Sequence, residues 1–598
     1  MEQTTNQDWL PYGLPWDKAP LDLSFLYADE KPAGKHGFLT VDRNHFTFED
    51  MTEARFWGTL FNAAANFPSH EHSEIIAKRL AAFGVNMVRT HQMDAEWGRP
   101  NIFDFSRGNL RNDSMSFDPR SLDRLDYLFY CLKQEGIYVY LDQLSHRAFK
   151  PGDGADNIDE LPEGGRPYTN YDPRLIELQK KYSYDLWTHV NPYTGLAYKD
   201  DPVIALMEVA NENDLLSRSL ALEPYRSRLE TMYRSWARDN GVDVAAEPVN
   251  FNKLTDPIIH FLAETQRNYY REMKAYLRSI GVRVPITGSN WSFSGAHLLY
   301  ALQELDYTDS HTYWDMWSHL EGNNRPNIRE EVNLMAKELS MNRLLDRPFF
   351  VSEWDVVYPN EWRATSPLMM AAVAGLQDWS GLTIHTYSYR TKYPKDSLGA
   401  VVMNGVGYRV NFDTYNDPAK FGLFYHAALM HRKKHIRAAD KTVGIRVKQD
   451  ELFVSEAMSE EMWGTEHSRP SVPAMKYLPE IHRVGMLLPG QSCEEAEEIG
   501  RLDHLDRPSD AERRADTGEI YRNPSRGTAW IDTAMTKAVY GFVGKQDAFR
   551  LNGLTVRVET PFAVVALSSL TEEPLVNSSN ILLTAVGRAD NTGARYNA

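Results

Sequence analysis

The feature that most constrains this chain is a punctuation repeated between about Arg55 and His435: an amphipathic helical stretch, a glycine, then a short apolar run. It falls at Gly84, Gly136, Gly281 and Gly381. Glycine in that position supplies a left-handed helix stop. Ahead of Gly136, Asp118-Pro119 offers an N-cap and a first-turn residue, and Leu122, Leu125, Phe129 and Leu132 fall on one helical face. The strands expected are residues 56–61, 85–89, 137–142, 203–210, 282–287, 305–310, 348–352 and 382–386. Eight strands alternating with helices imply right-handed parallel crossovers and close most simply into an α/β (β/α)8 TIM barrel. An open doubly wound sheet is the alternative, but it would normally carry a glycine-rich phosphate loop after an early strand, and none is visible.

The 598 residues exceed one compact core. We expect a lead-in segment packing on the barrel (1–50), the barrel (51–437) and a C-terminal all-β sandwich domain (438–598). The last begins after the basic cluster Arg432-Lys433-Lys434-His435, where the pattern changes to short alternating strands between polar turns. Residues 143–171, 213–256, 313–326 and 388–416 are longer than minimal βα loops and suit the rim of a binding cleft. The first, with Pro151-Gly152-Asp153-Gly154 and Glu163-Gly164-Gly165, reads as a mobile flap or a solvated insertion.

With 82 acidic against 65 basic residues the net charge is -17, which repels polyanions and disfavours nucleic acid or an anionic membrane as partner. A neutral substrate fits better. Cys131 and Cys493 offer neither a disulfide framework nor zinc spacing, as in a reducing compartment. No secretory signal and no run of about 18 apolar residues is visible, so a soluble cytoplasmic protein is expected, or a secreted one whose signal has been trimmed. Oligomeric state is not readable.

Two short apolar runs end in glutamates: one runs from Ala205 through Asn211-Glu212, the other from Phe349 through Ser352-Glu353. The fourth and seventh strands of a barrel deliver residues to the same rim, so two acids 141 positions apart (353 minus 212) can meet there. Retaining glycoside hydrolysis needs such a pair, roughly 5 to 5.5 Å apart, one protonated and one ionised. Asn211 can bond a sugar 2-hydroxyl as charge develops at the anomeric carbon.

At these residues the chain resembles clan A of the glycoside hydrolases, and family 5 (cellulase and mannanase-like) in particular, over about residues 50 to 435. Asn211-Glu212 is similar to the family's acid/base motif and Glu353 to its nucleophile. Arg89 is similar to the arginine that supports the nucleophile, and His311 and Tyr313 to the strand-six pair that contacts substrate and nucleophile. A guanidinium and a phenol near Glu353 would keep it ionised, while Glu212, lacking a fixed cation, would stay protonated. Where the family commonly carries a tryptophan platform after strand eight, this chain has Tyr387, which can substitute for it.

The expected function is retaining cleavage of β-glycosidic bonds in oligosaccharides or small glycosides, with carbohydrate as partner and no metal or organic cofactor. Trp291 and Trp354, directly after strands five and seven, are candidate sugar platforms. His91 and His146 are candidates for bonding sugar hydroxyls. With His385 they also raise a metal-dependent barrel hydrolase as an alternative, though no His-x-His or His-Glu-x-x-His spacing stands at a strand end. A non-catalytic carbohydrate-binding barrel is the third reading.

Overall fold

A computed structural model describes residues 13–105, 111–290, 295–315, 321–322, 324–389, 412–454, 473–500, 512–545, 548–589 and 595–596. Its centre is a parallel sheet of β1 (Phe56–Asn62), β2 (Met87–His91), β3 (Tyr138–Asp142), β4 (Ile204–Glu208), β5 (Ile286–Thr287), β6 (Thr308–Trp314), β7 (Phe349–Val356) and β8 (Gly381–Ser388). The eight strands are ordered β5-β4-β3-β2-β1-β8-β7-β6. The two end strands are stitched where Asp306 N donates to Ile286 O (2.9 Å) and Thr287 Oγ1 donates to Tyr307 O (3.0 Å). The fold is therefore a nearly closed (β/α)8 barrel. Every residue of β1 to β4 is buried, as near-continuous apolar runs covered on both faces require.

Helices follow the strands: α1 (His70–Ala82), α2 (Pro119–Gln134), α3 (Pro173–Thr188), α4 (Tyr225–Asp239), α5 (Asp256–Ser279), α6 (Ala296–Leu302), α7 (Leu334–Met341), α8 (Ser366–Gln377) and α9 (Phe424–Arg432). α4 lies inside the long segment after β4 and is additional to the one-helix-per-strand repeat. The α2 boundaries follow the expected chemistry: the Asp118 carboxylate accepts from Arg120 N (2.9 Å) and Ser121 N (3.1 Å), Pro119 opens the helix, and Gly136 follows its end at φ 75°.

Three expectations need correction. The left-handed stop of α8 is Asp378 (φ 54°), not Gly381. Gly381 opens β8, and a Cβ there would lie 2.9 Å from the Phe56 Cβ and press on the Phe350 ring, so close packing excludes a side chain. Strand five shrinks to two residues because Arg278 Nη1 takes the Val282 and Val284 carbonyls (both 2.8 Å), and strand six slides forward to Thr308 after a turn at Leu305. The segment after β3 is packed down rather than free-standing: buried Asp153 accepts from Ser114 N (2.8 Å) and Oγ (2.7 Å), and buried Arg147 donates to Ser114 O (2.8 Å).

At the amino-terminal end of the barrel a hairpin (Leu39–Asp42 with His45–Phe48) sets Phe46 against Tyr307 and Phe48 against Tyr138, with ring centroids 5.4 and 5.1 Å apart. After the barrel the described residues form β-sheets, joined in places by single 3-10 turns. β9 (Thr442–Arg446), β10 (Arg483–Leu487) and β11 (Ala496–Gly500) form a small parallel sheet in the order β10-β9-β11. β12 (Arg513–Arg514), β13 (Ile520–Asn523), β14 (Thr528–Asp532), β15 (Thr536–Gly541), β18 (Ala563–Ser569) and β19 (Ile581–Gly587) form an antiparallel one, with β16 (Phe549–Leu551) and β17 (Leu554–Val556) as a separate hairpin. Alternation splits the antiparallel sheet: Ala538, Tyr540, Val564 and Ala566 join the barrel's core, while Val539 and Ala563 form a second cluster with Leu551 of the hairpin. Among the described residues no helix is long and apolar enough to cross a membrane.

Candidate active site

β4 ends at Glu208, but Val209 N and Ala210 N continue along the sheet to Thr287 O and Gly288 O (both 3.0 Å), which carries Asn211 and Glu212 to the carboxyl-end rim. There Glu212 adopts φ 45°, a left-handed conformation that costs a non-glycine residue roughly 1 kcal/mol and collects at functional sites. Its backbone is held from both sides: Asn290 Oδ1 accepts from Glu212 N (3.0 Å), and Arg218 Nη2 donates to Glu212 O (2.9 Å). Glu353 lies within β7, beside His311 of β6 after a register shift between Phe350 and Glu353. One oxygen of Glu212, one of Glu353 and one nitrogen of His311 all lie within 4.8 Å of one another. Retaining glycosidases hold their carboxyl groups at about 5 to 5.5 Å, inverting ones farther apart.

Glu353 is buried and ringed by donors. Arg89 Nη1 donates to its Oε1 at 2.6 Å, the Tyr313 hydroxyl donates to Oε2, and His385 Nδ1 lies 2.8 Å from Oε2. Asn62 Nδ2 (3.2 Å) and the Tyr389 hydroxyl (2.8 Å) surround His385 Nε2, so the ring proton belongs on Nδ1 and points at Glu353. Burial alone would raise the Glu353 carboxyl. His311 and His385, with the His385 hydrogen bond, hold it well below the usual carboxylate range instead.

Arg89 reaches further. Its Nη2 also donates to Glu208 (2.7 Å), Asp142 (3.3 Å) and Asn211 Oδ1 (2.8 Å). Burial pushes Asp142 and Glu208 well above the ordinary carboxylate range, so Glu353 is the anion that balances this one guanidinium. Asn211, its oxygen taken by Arg89 and by Asn290 Nδ2 (3.2 Å), is fixed beside the pair.

Glu212 is only partly covered, its side chain 26% exposed. Burial would raise it too, but His311, by a 3.0 Å hydrogen bond from Nδ1 and by charge, draws it below its ordinary value. The expectation that Glu212, for want of a cationic neighbour, would be held protonated is thus corrected: His311 is that neighbour and draws the carboxyl down. What separates the acids is degree: Glu353 is held well below the normal range and Glu212 less so, which makes Glu212 the site of the pair's first proton. His311 Nε2 meets Ser352 Oγ at 3.0 Å, and that hydroxyl accepts from Asn290 Nδ2 (3.2 Å), so the imidazole is braced between the two strands.

Of the other residues singled out from sequence, His91 lies between Asp142 (Nδ1, 2.5 Å) and Glu353 (Nε2, 3.4 Å), and burial, then Arg89, holds its pKa well below normal, so the ring is neutral. His146 sits at the rim, 5.9 Å from the Trp97 ring, and burial, then Arg166, lowers it to about 3. Trp354 is no sugar platform. On β7 side chains alternate, so Glu353 faces the barrel axis and Trp354 the helices, where it packs against Trp57 at 5.8 Å. Tyr387 is likewise core: its hydroxyl accepts from Arg79 of α1 (3.0 Å) and its ring meets Phe421, because the β1–β8 register shifts between Ile384 and Ser388. Trp291 lies outside the described residues.

The residues missing from the expected set are His385, Tyr389, Asn62, Asn290, Asp142 and Glu208. His385 stood at a strand end and was weighed only as a metal ligand. Asn290 and Asn62 gave no local signal, since an asparagine near a strand end is ordinary until its partner is known. Glu212, His311 and Glu353 together form the one group among the described residues that can chelate a cation. Both Glu353 oxygens already accept charged or polar donors, which an incoming ion would have to displace.

No family model and no curated protein matches the sequence. Solved structures do. An endo-1,4-β-mannanase from Rhizomucor miehei aligns over 66% of this chain and 99% of its own at 14% identity and TM-score 0.44. An endo-β-1,4-mannanase from Thermotoga petrophila covers 66% and 82% at 16% identity and TM-score 0.41. A family 5, subfamily 18 glycoside hydrolase from Streptomyces cattleya, with GlcNAc bound, covers 75% and 99% at 14% identity and TM-score 0.46. The fold stands on its own strand order and the site on its own distances; these likenesses fix no substrate.

Proposed function

We propose that this chain is a retaining glycoside hydrolase acting on β-linked oligosaccharides or small glycosides. Glu353, ionised and held by Arg89, Tyr313 and His385, attacks the anomeric carbon while Glu212 gives its proton to the departing oxygen. The glycosyl group passes to a Glu353 oxygen as an ester. Glu212, now a carboxylate, takes a proton from water, whose oxygen then displaces Glu353 from the same carbon. Two inversions give net retention. The observation that carries this reading is the approach of the two carboxylates within 4.8 Å, with Glu353 the more strongly ionised.

The test is turnover of nitrophenyl β-glycosides of several sugars and of short β-linked oligosaccharides, with the anomer of the first-formed product read by proton NMR. Expected are the β anomer and a loss of roughly 10⁴-fold or more in kcat for Glu353→Ala. An α first product would refute the mechanism. Affinity for sugars without turnover in the wild type would favour a binding protein. Loss of activity to a chelator, regained with a divalent ion, would favour the metal reading.

A further inference from the structure

On the rim beside the nucleophile Trp97 stands 41% exposed, and its loop is built to hold it there. Past β2 the chain turns where Ala95 N donates to Gln92 O and Gly98 N to Ala95 O (both 3.1 Å). Ala95 pairs as a single bridge with Arg147 of the segment after β3, and Glu96 accepts from Lys150 Nζ (2.5 Å). A Cβ on Gly98 would come 2.9 Å from the Ala63 Cβ, so the loop is also packed against the residues that follow β1. The ring neighbours of the indole are His146, 5.9 Å away and edge-on, and Tyr389, 6.2 Å away. Each leads back to Glu353. The Tyr389 hydroxyl meets His385 Nε2 (2.8 Å) and His385 Nδ1 meets Glu353 (2.8 Å), while the His146 ring lies 6.3 Å from that of His91, whose Nε2 is 3.4 Å from Glu353.

A braced loop that leaves a large apolar ring in water gives up its burial with no freedom to fold it away, which suits a contact with something that arrives. An indole face matches the apolar face of a pyranose, and the neutral imidazole beside it offers a hydrogen bond to a hydroxyl. Ser145 Oγ holds His146 Nδ1 (2.8 Å), while Nε2 is 4.0 Å from Glu163, outside hydrogen-bond distance. One ring stands between Trp97 and each histidine that faces Glu353, so the indole borders not the sugar under attack but the one joined to it. The strand order says on which side. Trp97 follows β2 and Tyr389 follows β8, and these strands flank β1, which stands across the barrel from β5, where Asn290 holds the backbone of Glu212. Glu212 gives its proton to the departing oxygen. The bond that breaks therefore lies at its end of the attacked sugar, and the retained half of the substrate runs away from it, toward Trp97.

We propose that Trp97, with His146 and Tyr389 at its sides, binds a second pyranose on the retained side of the scissile bond. The favoured substrates then carry at least two linked sugars ahead of the bond that is cut, rather than a single one. The proposal deepens the reading of the site as a glycoside hydrolase and rests on Glu212 being the acid/base and Glu353 the nucleophile.

Nitrophenyl β-glycosides in matched pairs test it: the glucoside with the cellobioside, the mannoside with the mannobioside, and the xyloside with the xylobioside, each followed by nitrophenol release from the full chain. For the sugar that is turned over, wild-type kcat/KM should be about 10-fold or more higher on the disaccharide, chiefly through KM. Trp97→Ala should remove most of that ratio and Trp97→Phe keep part of it. Equal kcat/KM on both members of a pair in the wild type would overturn the proposal, and needs no variant to fold. So would an unchanged ratio in a Trp97→Ala protein that unfolds at the wild-type temperature. A loss in that variant of the same size on both substrates would make Trp97 a support of the site and not a sugar contact. Monosaccharide glycosides cleaved with retention but without disaccharide preference would sink this inference and leave the catalytic reading standing. An α first product, or no turnover of any pair, would remove the catalytic reading on which the inference rests.

Discussion

Arg89 carries one charge among three carboxylates, and the site depends on which of them takes it. Because burial keeps Asp142 and Glu208 well above the usual range, the ion pair falls to Glu353. Arg89→Met should therefore abolish measurable activity and cost about 3 to 5 kcal/mol in urea denaturation, the usual result of stripping one partner from a buried charge network. His385 is the cleaner probe of ionisation. Glu353's folded pKa is depressed, so the nucleophile stays ionised into mildly acidic solution; removing a hydrogen-bond donor raises that pKa. In His385→Phe the acidic limb of the kcat/KM profile should move to higher pH, with kcat/KM at neutral pH down roughly 10- to 100-fold. An unmoved limb would mean that His385 does not tune Glu353.

At the scale of the element, alternation along β7 and its failure along β8 decide which aromatic residues face substrate. Trp354→Ala should destabilise the fold by about 3 to 5 kcal/mol in thermal or urea unfolding, as large core truncations do, while folded enzyme keeps its KM. Tyr387→Phe removes the bond from Arg79 and should cost about 1 kcal/mol with kcat unchanged. A rise in KM for either folded variant would restore it as a sugar contact. The sequence showed both residues next to strands but not the register. Past its own register shift β7 alternates from Glu353 to Trp354, so Trp354 was placeable from Glu353 once the latter faced inward; on β8 the shift past Ile384 depends on pairing with β1 more than 300 positions away in the chain. The boundaries of α2 were legible because caps are local, whereas the stop of α8 was misread because packing, not chain reversal, demands Gly381.

For the molecule as a whole, the barrel and the six-stranded sheet share one core, sealed by two buried histidines. His426 meets Ser568 (2.8 Å) and Thr584 (2.9 Å), and His435 meets Thr536 (2.9 Å). Burial lowers their pKa values to about 3 and about 4, so both are neutral in the folded chain. The unfolded chain takes up these protons near pH 6.5, so their contribution is intact above that value and is lost as pH falls toward 3 to 4. Their losses come to about 5 kcal/mol at most for His426 and about 3 for His435. Urea midpoints should drop between pH 7 and 5, and the drop should be shallower in His426→Gln; parallel curves would show that other groups control acid unfolding.

By itself the sequence determined the repeat: helix, stop and apolar strand are set by neighbours a few residues away, and eight such units in order leave few ways to close a parallel sheet. It also carried the two glutamates and the arginine, because each ends or interrupts an apolar run where a charge is conspicuous. What only the tertiary structure decided is the company those charges keep. The three-way sharing of Arg89, the proton on His385 and the brace from Asn290 all join distant segments, and a carboxyl's ionisation is fixed by distances and burial that no single stretch of chain encodes.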